Sequence, residues 1–211
     1  CELELPSFAP DGSKMVVAAG MPAEVGKPWQ RLFTVTSDGR DLAELSFPIG
    51  DAIWPKWHPL RNEILFEGVL EGEAVGLYVA SLDGSMRRLG ANPNESGSLP
   101  TWSPDGTMIA YVVGDSEPGP SGRPLDSLQV ATADEDADEA VLIPEVGSDT
   151  GLRIYRYYWA PDGRHIAYAD RTKYGGFLKA DVFAFDICDG QTRMVVEEVD
   201  MHTDLSWRPL P

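Results

Sequence analysis

Histidines are the side chains of this sequence that most readily do chemistry at neutral pH, and there are three of them: His58, His165 and His202. A zinc or catalytic site needs further ligands or partners at short, defined spacings, and neither His58 nor His165 has one. His202 is followed two residues later by Asp204, a pair that could point toward the mouth of a channel. We interpret all three as packing or surface histidines.

Carboxylates are the second group that could do chemistry. The run at 133–139, Ala-Asp-Glu-Asp-Ala-Asp-Glu, could bind calcium, but it lacks the glycine and the spaced closing glutamate of a calcium loop, and we interpret it as a solvated turn. The sequence has no Gly-x-Ser-x-Gly elbow, no phosphate loop, no dinucleotide fingerprint and no Cys-x-x-Cys pair. We therefore predict no catalytic residues, no metal and no cofactor.

The charge balance argues against nucleic acid as a partner. The sequence has 17 basic and 34 acidic residues, a formal net charge of −17, and no basic stripe that would offset it. A phosphate backbone is repelled by such a surface. We interpret the acidity as a source of solubility.

A repeated sequence pattern must position these side chains. An aromatic residue recurs every 45 to 57 residues, at Phe8, Trp57, Trp102, Trp159 and Trp207. In most repeats Pro-Asp-Gly follows it, then a short apolar run, then a second hairpin that ends in another turn. Four short strands in a repeat of this length are typical of one blade of a β-propeller.

The sequence therefore predicts an all-β protein with one propeller domain over residues 1–211. We expect four four-stranded blades at about 5–48, 52–90, 98–145 and 155–198, and an extra inner strand at 204–209. We expect an incomplete or partner-completed ring, because a lone inner strand leaves its outer edge unpaired. The five aromatic residues should occupy equivalent positions and pack between blades. The second repeat has Leu60-Arg61-Asn62 where Asp-Gly is expected, so the pattern does not predict its first turn.

The repeat resembles a known family. The segment Trp-Ser-Pro-Asp-Gly-x-x-Ile-Ala-Tyr that begins at Trp102, with a last strand such as Met86-Arg87-Arg88-Leu89, resembles the WD-like repeats of TolB-type β-propellers over nearly the whole chain. The resemblance implies a propeller that serves as a periplasmic scaffold, as the cover of a peptidase domain or as a small enzyme. We interpret the protein as a non-enzymatic scaffold or accessory subunit of a membrane-associated complex. The alternatives are the propeller portion of a peptidase or carbohydrate-active enzyme whose catalytic part is elsewhere, and a sugar lyase.

Propeller geometry predicts where a protein partner would bind. Loops between the second and third strands of a blade, and those between blades, emerge on one face, and here they are the long and varied ones. We call this the long-loop face. Its candidate partner-binding residues are Trp29, Arg171, Lys173, Tyr174 and Phe177, because aromatic and arginine side chains are enriched at interface hot spots. For Trp29, packing on a neighbouring blade is the alternative.

The first residue, Cys1, predicts attachment to a membrane. Signal peptidase leaves a cysteine at the amino terminus of bacterial lipoproteins, where the thiol carries a lipid. We therefore expect an exported protein on the periplasmic or extracellular side of a bacterial membrane, with an acylated Cys1 as its anchor. A trimmed chain or an upstream domain is the alternative. With Cys1 acylated, Cys188 would be free or paired with a partner.

Overall fold

The computed structural model describes residues 6–20, 30–70, 75–89, 97–118, 124–133, 141–142, 154–170, 179–200 and 207. Within these ranges the regular secondary structure consists of β-strands. None of the described segments forms a helix that is long and apolar enough to cross a membrane.

In the part of the chain that the structure describes, sixteen strands form four sheets of four strands each, and within each sheet the strands follow one another in chain order. The first sheet contains β1 (Ser7–Phe8), β2 (Lys14–Gly20), β3 (Gln30–Thr36) and β4 (Ala43–Glu44). The second contains β5 (Ala52–Trp57), β6 (Glu63–Gly68), β7 (Gly76–Ser81) and β8 (Met86–Leu89). The third contains β9 (Gly97–Trp102), β10 (Met108–Pro118), β11 (Pro124–Thr132) and β12 (Val141–Leu142). The fourth contains β13 (Ile154–Trp159), β14 (His165–Asp170), β15 (Lys179–Asp186) and β16 (Gln191–Asp200).

This architecture confirms the predicted fold class, an all-β chain of four four-stranded blades that forms a partial propeller. The predicted extra strand at 204–209 lies outside the described residues except for Trp207. The acidic run after Ala133, and His202 with Asp204, also lie outside them.

The chain forms two compact units, one of residues 1–111 with 131–139 and the other of residues 112–130 with 140–211. In the first unit, one core cluster joins the first two sheets and includes Val16, Leu32 and Phe66. A second cluster in that unit contains Leu65 and Trp102. In the second unit, β14 and β15 bury most of their residues. The middle two strands of this blade are thus buried on both faces, as their continuous apolar sequences predict.

Asp-Gly turns close the hairpins by a local mechanism. In the third sheet, Asp105 Oδ1 accepts hydrogen bonds from the Thr107 N–H at 3.0 Å and from the Ser103 hydroxyl at 2.6 Å. Gly106 has a φ of 73°, a left-handed conformation that glycine adopts without steric cost. The Ser103 hydroxyl and the Thr107 N–H keep the pKa of Asp105 below its usual value, so the ionised form closes the turn.

The repeat aromatics do not all share one environment. Trp57 and Trp102 are buried, Trp159 and Trp207 are half-buried, and Phe8 is 55% exposed. The prediction that Phe8 packs between blades is therefore wrong. The physical reason is that Trp57 and Trp102 each pack in a core cluster with residues of the repeat before them, whereas Phe8 belongs to the first repeat and to neither cluster.

Candidate functional site

The residues that the sequence predicted as a partner-binding site, Trp29, Arg171, Lys173, Tyr174 and Phe177, all lie outside the described residues, as does Cys1. Their roles stay predictions. Cys188 is described: it is exposed in the turn between β15 and β16 and takes part in no disulfide.

A cleft of about 430 Å³ opens in the first compact unit, where β3 begins, β4 ends and the chain crosses to β5. We call it the Arg31 cleft. Its lining includes Arg31, Leu32, Glu44, Leu45, Phe47 and Ile49. Arg31 directly follows Gln30, which follows the predicted Trp29 in the sequence.

Backbone hydrogen bonds fix the connection from 45 to 51 that forms one wall of the cleft. The Leu45 N–H donates to the Leu32 carbonyl at 2.9 Å, and the Gly50 N–H donates to the Val69 carbonyl at 2.6 Å. At the end of the connection, Asp51 Oδ1 accepts the Gln30 N–H at 2.8 Å. The wall is therefore preformed by bonds to two segments, β3 and the residue that follows β6.

The apolar residues of the wall pack on the core beneath it. The Phe47 ring stacks on Phe66 with centroids 6.0 Å apart and planes 18° apart. Phe66 in turn stacks on Tyr78 at 5.9 Å. Ile49 lies against Gly68, where a Cβ atom would come within 2.5 Å of the Ile49 Cδ1. A side chain at position 68 would clash with Ile49, so the glycine allows Ile49 to pack closely against the strand.

An ion pair lines the polar side of the cleft. Arg31 Nη1 donates to Glu44 Oε1 at 3.0 Å and to Oε2 at 3.1 Å. The Arg31 side chain is 11% exposed, whereas that of Glu44 is 43% exposed. The guanidinium Nε is fully enclosed and has no hydrogen-bond partner among the described residues. The guanidinium of Arg31 has further N–H donors, and the carboxylate of Glu44 has further lone pairs. The cleft therefore has a hydrogen-bond donor next to an acceptor.

His58, which the sequence identified as a packing residue, is buried in the same unit and closes the turn of the aberrant second repeat. Its Nδ1 accepts the N–H groups of Leu60 and Arg61, both at 3.0 Å, which is the role that aspartate has in the other turns. Nδ1 therefore carries no proton, and the protonated Nε2 donates to the Gly106 carbonyl at 3.2 Å. Arg61 Nε also lies 3.0 Å from Nε2, but in this tautomer Nε2 cannot accept its hydrogen. Burial, and then the nearby Arg61 charge, lower the pKa of His58. The imidazole is thus neutral and structural.

His165 belongs to a charged network between two turns of the fourth sheet. Its Nδ1 lies 2.7 Å from Asp162 Oδ2, and its Nε2 lies 3.4 Å from Asp186 Oδ2. Arg164 Nε donates to both oxygens of Asp186 at 2.8 Å. Arg164, whose guanidinium donates to it, is the main reason why the pKa of Asp186 lies well below its ordinary value. The network ties the β13–β14 turn to the end of β15, and we interpret it as structural.

The outer strand of the fourth sheet has an exposed apolar stretch. Met194, Val195 and Val196 on β16 are 54%, 58% and 46% exposed. The pairing of β16 with β15 is irregular at two places, and Glu198 has a φ of 58°. Such irregularities make it harder for another strand to pair with the edge of a sheet.

Among the described residues, no group of three or more histidine, cysteine, aspartate or glutamate side chains is arranged to hold a metal ion. Sequence reasoning missed the Arg31 cleft. The signal that could have found it is Leu45-Ser46-Phe47-Pro48-Ile49, an alternating apolar segment in a connection between blades, where polar residues are expected.

Comparison with family models finds no match, and comparison with curated proteins finds none either. Solved structures do match. A TolB-like protein of Agrobacterium tumefaciens matches with a TM-score of 0.66 at 17% identity, over 90% of this chain and 63% of that one. TolB of Acinetobacter baumannii matches with a TM-score of 0.61 at 21% identity, over 90% of this chain and 41% of that one.

The β-propeller domain of the Trilobed protease from Pyrococcus furiosus, which has an open velcro topology, matches with a TM-score of 0.56 at 12% identity. That match covers 92% of this chain and 57% of the other. The chain thus spans 41% to 63% of the lengths of these three structures. At these identities the likeness concerns the fold, and the chain has the fold of a TolB-like β-propeller.

Proposed function

We propose that this protein is a non-enzymatic β-propeller that serves as a protein-protein interaction scaffold, or as an accessory subunit of a membrane-associated complex. The observation that carries the proposal is the Arg31 cleft. A preformed concave surface with an apolar floor and a few polar groups is the usual form of a recognition site. It adjoins in sequence the predicted partner-binding residue Trp29.

The proposal extends to organisation and location. Residues 1–211 form one propeller domain whose long-loop face, with Trp29, Arg171, Lys173, Tyr174 and Phe177, contacts the partner. The protein is exported to the periplasmic or extracellular side of a bacterial membrane, and a lipid on Cys1 holds it there. The length of the loops supports the long-loop face as the binding surface.

Cross-linking mass spectrometry on native membranes tests the scaffold function. We expect cross-links from this chain to another subunit, and we expect Tyr174→Ala with Phe177→Ala to reduce them at least tenfold, as loss of hot-spot residues does. The thermal midpoint of the double variant should stay nearly unchanged. Leu60→Ala is the matched control, because Leu60 is a large apolar residue that is 69% exposed in the turn between β5 and β6, outside the predicted long loops. A double variant that assembles like Leu60→Ala would contradict the assignment of the face.

Intact-mass analysis of the amino-terminal peptide tests the anchor. One acyl chain binds a membrane only marginally, so a diacylated or triacylated Cys1 is the expected form. An unmodified thiol in material purified from its own membrane would rule out lipidation.

The second candidate function is the propeller portion of a peptidase or carbohydrate-active enzyme. The match to the propeller domain of the Trilobed protease favours it. Sequencing the gene beyond Pro211 separates the two functions, since a following α/β-hydrolase pattern would favour the enzyme and its absence would favour the scaffold.

A further inference from the structure

We propose that the Arg31 cleft binds one large apolar side chain of an extended segment of the partner protein, and that Arg31 and Glu44 bind the adjoining peptide group. This inference rests on the proposed scaffold function and adds the chemistry of what is bound.

The interior of the cleft fits an apolar side chain. Leu32 is buried, and Leu45, Phe47 and Ile49 are half-buried residues that pack on the core of the first unit. Their exposed remainders face the same cleft, and burial of apolar surface against them is favourable. The Phe47 stack on Phe66 and the close contact of Ile49 with Gly68 hold these side chains in place, so little conformational entropy is lost on binding.

The polar side of the cleft fits a peptide group better than an ion. Arg31 uses Nη1 for Glu44, and its enclosed Nε is out of reach of a ligand. The second terminal nitrogen, which bonds to none of the described residues, is therefore the donor for a ligand. Glu44, which is 43% exposed, can accept a further hydrogen bond. A peptide group brings the complementary pair, a carbonyl oxygen for Arg31 and an N–H for Glu44.

The charges around the cleft disfavour a carboxylate or an amine as the bound group. The Arg31–Glu44 pair has no net charge, so it offers no excess attraction to either sign. A free carboxylate would meet Glu44 on a protein of net charge −17. An amine would be attracted by that net charge but would lie beside the Arg31 cation, which has no acceptor for its N–H groups. A neutral amide meets neither repulsion. A volume of about 430 Å³ can hold one large side chain together with its peptide group.

Nuclear magnetic resonance titration of the whole chain with small probes tests the chemistry. The probes are N-acetyl-leucine amide, N-acetyl-glycine amide and the carboxylate N-acetyl-leucine. We expect the leucine amide to shift the signals of Ile49 and Arg31 and to bind at least about tenfold more tightly than the glycine amide, because it adds a buried apolar side chain. We expect the carboxylate to bind more weakly than the amide. Equal binding of the glycine probe, or tighter binding of the carboxylate, would overturn the proposal.

Variants test the residues. Arg31→Met keeps much of the aliphatic stem and removes the donors, and we expect it to weaken the leucine amide about tenfold. Arg61→Met is the matched control, because Arg61 is in the same compact unit but does not line this cleft. If Arg31→Met binds as Arg61→Met does, the assignment of Arg31 is wrong. Should Arg31→Met lose its fold by circular dichroism, Ile49→Ala replaces it with the same expected loss.

Cross-linking of the same variants in native membranes separates this inference from the scaffold function. Probe binding that Arg31→Met weakens, together with loss of the cross-links, supports both. Probe binding with cross-links that Arg31→Met leaves intact overturns the inference, since the partner then does not use the cleft, but leaves the scaffold function standing. If the unaltered protein forms no cross-links at all, the scaffold function itself fails.

Discussion

The indole Nε1 of Trp102 donates a hydrogen bond of 3.1 Å to the carbonyl oxygen of Lys56, the residue before the preceding repeat's Trp57. Trp207 makes the same bond to Tyr158, the residue before Trp159, at 3.2 Å. Each bond lies within one compact unit. Among the described residues, a hydrogen bond thus links the aromatic of a repeat to the inner strand of the repeat before it in two cases.

Truncation of Trp102 measures this contact. Trp102 is 6% exposed and packs with Leu65, Leu77 and Val79 of the second sheet, so we expect Trp102→Ala to lower the free energy of unfolding by about 3–5 kcal/mol. Trp102→Phe keeps an aromatic ring and loses the bond to Lys56, and about 1 kcal/mol of its cost should come from that loss. Phe8→Ala is the control, because Phe8 occupies the same repeat position but is exposed. Chemical denaturation measures all three, and a loss under about 1 kcal/mol for Trp102→Ala would contradict the repeat alignment.

Gly106 is needed both for its backbone conformation and for the space that it leaves. Its φ is 73°, and a Cβ atom there would lie 2.2 Å from Cε1 of the buried His58. Gly39 has a φ of 80° but nothing within 4 Å of such a Cβ. We expect Gly39→Ala to lower the free energy of unfolding by about 1 kcal/mol through strain alone. Gly106→Ala should cost about 1–3 kcal/mol more, because it overpacks the ring.

A double-mutant cycle isolates the steric part of the Gly106→Ala effect. His58→Ala removes the ring, so adding Gly106→Ala to it should cost no more than Gly39→Ala does. Equal costs for the two glycine substitutions in the unaltered chain would show that His58 moves aside freely.

The fold was predictable because its signals are local and repeated. An Asp-Gly turn contains its own hydrogen-bond acceptor, as Asp105 does for Thr107, and the recurring tryptophan marks each inner strand. The turn of the second repeat was not predictable from that pattern. There the acceptor is His58 Nδ1, and a histidine closes a turn only when tertiary burial keeps it neutral.

The Arg31 cleft was not predictable for a different reason. Arg31 and Glu44 are 13 residues apart, and they meet only because β3 and β4 pair with Phe33 opposite Glu44. Phe47 acquires its place from Phe66, which belongs to another sheet. Neither contact follows from periodicity or from turn chemistry. Where the fold leaves a concave surface depends on the packing of two sheets.

The neutral state of His58 predicts a pH dependence of stability. Burial and then Arg61 lower its pKa in the folded protein, while the hydrogen bond to the Gly106 carbonyl and the nearby Glu63 and Asp105 oppose the shift. Between the folded and the unfolded pKa, the unfolded chain binds a proton that the folded chain does not. Stability due to this residue is therefore present above the unfolded value of about 6.5 and is lost as the pH falls toward the folded value.

Urea denaturation at several pH values between about 5 and 7.5 measures this loss. His58→Asn should be less stable throughout, since it loses the ring, but its stability should depend less on pH than that of the unaltered protein. His165→Asn is the control for a histidine in another turn. The same pH slope in His58→Asn and in the unaltered protein would show that His58 is not the titrating group.

Asp186 predicts a second loss of stability, at lower pH. Arg164 hydrogen-bonds to its carboxylate, the Cys188 N–H donates to Oδ1 at 2.9 Å, and together they lower its pKa in the folded state. Stability from a carboxylate of lowered pKa is present above its unfolded value of about 3.9 and disappears as the pH falls toward the folded value. Asp186→Asn should therefore destabilise the protein at pH 7 and make its stability depend less on pH in the acid range.

Asp189→Asn is the matched control, because Asp189 is half-exposed and lies 4.0 Å from the same Arg164 nitrogen, at the limit of an ion pair. Acid denaturation followed by circular dichroism compares the two variants. If the stability of both falls equally steeply with falling pH, the Arg164–Asp186 pair does not contribute to the stability of the fourth sheet.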